Sequence, residues 1–173
     1  MKTFQTAGLA AIVFQASALF AAPVQAGPNE FLPAIGCVGT TIAGELATSV
    51  WYQNGFAVNT HSSGDRDILC PIRYERMSPA STSVIVRAVV FDNTNDSGGK
   101  ATIWICEAES GDGAGCFGSV STTDDERGQR TLETSFTPNS NTRFLYLRVR
   151  LPDTDGDGKK SFLAGYRVCR GSC

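Results

Sequence analysis

The chain has 173 residues, of which 42% are hydrophobic and 18% charged, with 15 Lys+Arg against 17 Asp+Glu and a net charge of −2. That balance argues against non-specific nucleic-acid binding, which needs a basic footprint, and against electrostatic attachment to an anionic membrane. The length past any leader suits one domain built around one core.

The first residues predict a leader. Lys2 is the only charge before Glu30, an apolar stretch runs from about Ala7 to Ala22, and Pro23-Val24-Gln25-Ala26 follows. A basic start, a short apolar core and a small-x-small ending are the parts of a secretory signal peptide cleaved after Ala26. The stretch is interrupted by Gln15 and Ser17 and falls short of the roughly 20 residues that span a bilayer. The expected organisation is therefore residues 1–26 as signal peptide and 27–173 as a single secreted domain. Without Lys2 that domain carries 14 Lys+Arg against 17 Asp+Glu, a net charge of −3.

From there on, short alternating runs are separated by turn-rich stretches. Ser49 to Tyr52, Phe56 to Thr60 and Asp65 to Ile72 read as modest strands, and Thr40 to Ser49 is the only stretch that could pass for a short helix. Ser83 to Phe91 and Ala101 to Glu109 are rich in β-formers and flank Asp92 to Lys100 (DNTNDSGGK), which predicts a hairpin. Gln129 to Phe136 reads as a further strand. After Arg143, Leu145, Leu147, Val149 and Leu151 alternate with Phe144, Tyr146, Arg148 and Arg150, the period of a strand with one buried face. Pro152 to Gly158 is expected to turn the chain into a returning strand, Ser161 to Cys169, with Phe162, Ala164, Tyr166 and Val168 sharing a face. Seven or eight such strands predict an all-β fold, an antiparallel β-sandwich of jelly-roll type.

All six cysteines, Cys37, Cys70, Cys106, Cys116, Cys169 and Cys173, follow the leader. An even number in an exported chain reads as a disulfide framework. Locality favours Cys106–Cys116, around a loop holding three glycines. The remaining four pair either as Cys37–Cys173 with Cys70–Cys169 or as Cys37–Cys70 with Cys169–Cys173.

Two places suggest chemistry. Asp153, Asp155 and Asp157, with Gly158, match the opening of a calcium-binding loop, where alternate carboxylates wrap one ion. The match fails at the twelfth position, Ala164, so bound Ca²⁺ would need help from a neighbouring loop such as Asp92 or Asp96. The plainer reading is a hairpin tip, since Asp and Gly are good turn residues. The second place is a binding face. Phe144, Tyr146, Arg148 and Arg150 should share one side of their strand, and planar rings beside guanidinium forks suit sugar rings or acidic groups. The opposing reading has Trp104 and Tyr146 in the core and the arginines packed over a solvent face.

Catalytic signals are sparse. His61 stands beside Ser62, Ser63 and Asp65, but neighbours in sequence are not a triad in space. Glu107, Glu109, Asp124, Asp125 and Glu126 could supply paired carboxylates, yet they fall in one polar stretch. The favoured expectation is a non-catalytic secreted binding module for a glycan or cell-surface component, with no cofactor beyond calcium at the Asp153 loop. The runner-up is a structural or envelope-associated interaction protein, with a hydrolase behind it.

The segment Asp67-Ile68-Leu69-Cys70-Pro71-Ile72-Arg73 resembles the V-x-C-P-I-x-R stretch of a group of short exported bacterial proteins. Tyr146-Leu147-Arg148-Val149-Arg150-Leu151-Pro152, followed by Tyr166-Arg167-Val168, is similar to their Y-x-L-R-C-x-L-P … Y-x-V ending. The resemblance implies a secreted β-sandwich and no activity. Val149 stands where that group often has cysteine, which implies that Cys70 finds its partner elsewhere.

Overall fold

A computed structural model describes residues 31–40, 49–62, 64–72, 83–93, 99–109, 114–123, 127–138, 142–153, 158–171 and 173. Eleven strands are described: β1 (Phe31–Pro33), β2 (Val38–Thr40), β3 (Val50–Gln53), β4 (Phe56–Asn59), β5 (Arg66–Ile72), β6 (Val84–Asp92), β7 (Thr102–Glu109), β8 (Ala114–Ser121), β9 (Gly128–Phe136), β10 (Thr142–Leu151) and β11 (Phe162–Arg170). One 3-10 turn, Ala34–Gly36, joins β1 to β2. Among the described residues no helix is long and apolar enough to cross a membrane.

The strands form two antiparallel sheets. One has the order β3-β4-β11-β6-β9, with β1 also paired to β11; the other has the order β2-β5-β10-β7-β8. The predicted antiparallel sandwich is the observed architecture. Its interior follows from the period of two. In β6, Val84, Val86, Ala88 and Val90 are buried and alternate with half-buried residues. In β10, Leu145, Leu147, Val149 and Leu151 meet Ile68, Cys70, Ile103 and Ile105 from the neighbouring strands in one core.

The predicted hairpins are corrected. β6 and β7 are not paired: β6 lies between β11 and β9, while β7 lies between β10 and β8. Likewise β10 and β11 belong to opposite sheets, so they do not pair as the expected hairpin. Alternation shows which face of a strand is buried, and that is the same whether the next strand lies beside it or across the core. Within β11 the expected face is also corrected. A register shift between Leu163 and Gly165 turns Leu163 and Tyr166 inward, while Phe162 faces out. The β8 strand lay unrecognised in the sequence because its AGCFGSVS run has little alternation. The helical alternative at Thr40 to Ser49 falls almost wholly outside the described residues, as do the leader and the Asp124–Glu126 stretch.

Close contacts bind the two sheets at both sides. On one, Gly39 in β2 lies so near Val50 in β3 that a Cβ would come within 2.5 Å of the valine side chain. On the other, the Thr134 hydroxyl of β9 donates to the Gly118 carbonyl of β8. Gly118 has φ +63° and no room for a side chain against Thr134, so both backbone and space call for glycine. Phe117 and Phe136 stack across the same seam at 4.8 Å between ring centroids.

The disulfides are Cys37–Cys70, Cys106–Cys116 and Cys169–Cys173. The local pairing is the one expected from the sequence, and the structure chooses between the two arrangements left open. Cys37 and Cys70 meet inside the core, whereas Cys106 and Cys116 are direct cross-strand neighbours in β7 and β8.

Candidate functional site

The outer face of the β2-β5-β10-β7-β8 sheet is built from residues one step out of phase with the core. In the register of these strands Arg150 lies opposite Asp67 and Thr102, Arg148 opposite Leu69 and Trp104, and Tyr146 opposite Pro71 and Cys106. Phe144 continues the row and is 72% exposed. The four residues expected on one side of their strand do share it. Trp104 stands on this outer face, half-buried, and not in the core.

The centre of the face is an ion cluster. The Asp67 carboxylate accepts from Arg148 Nε at 3.0 Å and from Arg148 Nη2. It also accepts from Arg150 Nε at 3.0 Å and from Arg150 Nη2 at 3.4 Å. Both guanidiniums lie against the Trp104 ring, with Cζ atoms 5.3 Å (Arg148) and 5.4 Å (Arg150) from its centroid. Asp67 is 2% exposed, whereas each arginine side chain keeps 27% of its surface. Aromatic contact and charge-assisted hydrogen bonds therefore fix two long side chains that would otherwise sample many rotamers. Asp67 is the member the sequence reading missed. No local pattern marks it, because nothing in the sequence around it shows that β5 lies beside β10.

At the Arg150 end stand Asp65 and Asp153, both half-buried. Burial pushes the Asp65 carboxyl above the usual carboxylate range; Asp153 and Asp67 add to this, while Arg150 and the Asp153 backbone amide oppose it. Asp155 and Asp157 lie outside the described residues. Among the described residues, no group of three or more His, Cys, Asp or Glu could hold a metal ion. Asp92, suggested as a helper ligand, is buried and accepts from the Ala101 amide and the Thr122 hydroxyl, so it anchors the start of β7 to the end of β8. Asp96 is outside the described residues.

The crossover after β10 is held by a residue the sequence did not single out. Asn59 is fully buried, and its side-chain amide donates to the Leu151 and Pro152 carbonyls and to Gly64, while its oxygen accepts from the His61 amide. The surroundings of His61 are thus a structural turn. Ser63 falls outside the described residues.

The opposite sheet carries its own aromatic surface. Trp51, Val58, Phe162 and Phe91 are successive cross-strand neighbours on its outer side. Phe162 stacks on Phe91 at 4.3 Å and meets Phe56 at 5.2 Å, and the Lys160 ammonium lies 5.8 Å from the Trp51 ring centroid. Trp51 is 62% exposed.

No protein-family profile matches the sequence, and no curated protein is similar to it at a significant level. Solved structures are similar in fold. The C-terminal family 22 carbohydrate-binding module of Clostridium thermocellum xylanase 10B superposes with a TM-score of 0.52 at 9% identity, over 87% of this chain and 98% of that module. A longer piece of the same xylanase, its N-terminal family 22 and catalytic modules complexed with xylohexaose, gives a TM-score of 0.50 at 9% identity, over 83% of this chain. This chain spans only 27% of that longer one. At such identity the likeness shows the fold alone.

Proposed function

We propose that this protein is a secreted, non-catalytic glycan-binding module that holds its ligand on the outer face of the β2-β5-β10-β7-β8 sheet. The observation that carries this reading is the fixed array of Trp104, Arg148 and Arg150 beside the exposed ring of Phe144 and the half-buried ring of Tyr146. Rings give a sugar an apolar face to stack on, and guanidiniums give its oxygens directed donors. Two carbohydrate-binding modules of similar fold, one of them within a two-module xylanase piece complexed with xylohexaose, support a glycan as the ligand class. Three disulfides and the leader-like first 26 residues support an oxidising destination.

The test is affinity electrophoresis through gels cast with soluble polysaccharides, comparing the protein with Phe144→Ala. Phe144 is exposed enough that its removal leaves the fold intact, and about tenfold weaker retardation is expected, equivalent to ~1.4 kcal/mol. Retention unchanged by Phe144→Ala and by Trp104→Ala would move the site off this face.

A second reading, an envelope-associated interaction protein, is favoured by the exposed Trp51 and Phe56 on the other sheet. Concentration-dependent assembly in sedimentation velocity, abolished by Trp51→Ser, would support it. Calcium at Asp153, Asp155 and Asp157 also belongs to the proposal, since Asp65 brings a further carboxylate to Asp153. A higher unfolding midpoint in millimolar calcium than in chelator would support the ion, and equal midpoints would remove it.

A further inference from the structure

We infer that the glycan bound on this face carries an oxyanion, a uronate carboxylate or a sulfate ester, seated on the outward N–H groups of Arg148 and Arg150. This rests on the glycan reading above and adds the chemical class of the sugar. A guanidinium has five N–H donors and no acceptor. Asp67 engages Nε and Nη2 of each arginine, and among the described residues no other acceptor meets either one. The remaining donors on each guanidinium meet no described acceptor, and each arginine side chain keeps 27% of its surface exposed. The Asp67 oxygens are consumed and buried, so they offer nothing to an incoming hydroxyl. Among the described residues, the arginine cluster itself therefore presents donors and no acceptor.

That asymmetry distinguishes ligands. A neutral sugar hydroxyl both donates and accepts, and its proton would find no acceptor at the cluster. A carboxylate or sulfate only accepts, and it matches the paired N–H groups of a guanidinium in shape as well as charge. The charge is also uneven along the face. Two cations share one buried carboxylate, and among the described residues Asp65, which interacts with Arg150 and Asp153, lies at the Arg150 end. Arg148 is flanked by Leu69 and Trp104 and retains the surplus positive charge. Since the chain as a whole is net negative, a polyanion gains no general attraction and must be held locally.

The experiment is calorimetric titration of the oxidised protein with acidic glycans, each beside its neutralised form. Polygalacturonate, alginate and hyaluronate oligosaccharides are paired with their carboxyl-reduced forms, and a chondroitin sulfate oligosaccharide with its desulfated form; a xylan oligosaccharide is the neutral control. At least one acidic ligand is expected to bind tenfold or more tightly than its neutralised partner, and to weaken several-fold on raising salt. Which pair shows the difference identifies carboxylate or sulfate as the source. Arg148→Lys, which keeps the charge but loses the fork, is expected to cost about tenfold for the acidic ligand alone. The ligand comparison in the unaltered protein decides the matter even if that variant folds poorly. Equal binding of acidic and neutralised forms, or binding of xylan alone, overturns the oxyanion and leaves the glycan reading standing. No binding to any of them overturns both.

Discussion

The Tyr166 hydroxyl donates to the Pro71 carbonyl at 2.7 Å, joining β11 in one sheet to β5 in the other. Tyr166 is 3% exposed, so its ring serves the core while its one polar atom reaches the opposite sheet. Pro71 lies beyond the residues of β5 that pair with β2, on a stretch with a strand neighbour on one side only. Pro71 pairs with Tyr146 of β10 but has no partner in β2, an edge-like placement of the kind in which strand prolines occur.

Tyr166→Phe keeps the ring and removes the donor, leaving a carbonyl without that partner. The expected cost is about 1–2 kcal/mol, read as a lower denaturant midpoint with an unchanged slope.

Asp67→Asn removes the charge that gathers Arg148 and Arg150 over Trp104. A loss of about 2 kcal/mol is expected from the charge-assisted bonds. A double-mutant cycle with Arg148→Gln should give a coupling of about 1 kcal/mol or more, whereas additivity would show that the arginines are placed by packing alone.

Asp65 gives the pH dependence a sign. Its carboxyl is raised chiefly by burial, so the native state holds a proton that the unfolded chain has released across the window above the ordinary carboxylate value. Through that window the Asp65 contribution to stability falls as pH rises. Asp65→Asn should raise the thermal midpoint near neutrality, and the gain should vanish below the ordinary carboxylate range, as melts between roughly pH 3 and pH 8 would record.

The disulfides should rank by the chain they close. Sequence separations are 33 for Cys37–Cys70, 10 for Cys106–Cys116 and 4 for Cys169–Cys173. Loop-closure entropy gives about 4, 3 and 2 kcal/mol respectively. Paired Cys→Ala variants compared by chemical denaturation test the order, and the loss of buried sulfur from the core adds to the cost of the first pair.

Much of this was legible along the chain. Alternation in 143–151 placed Phe144, Tyr146, Arg148 and Arg150 on one face and Leu145, Leu147, Val149 and Leu151 in the core, because side chains on a strand alternate whatever lies next to it. The even cysteine count and the short loop between Cys106 and Cys116 were equally local facts. Tertiary structure alone decided what depends on neighbours. It separated β6 from β7 and β10 from β11 into opposite sheets, and it chose Cys37 for Cys70. It also set Asp67 beneath Arg148 and Arg150, 81 and 83 residues away in sequence. The physical reason is that a period of two specifies which way a side chain points. Only pairing between distant strands specifies what it meets.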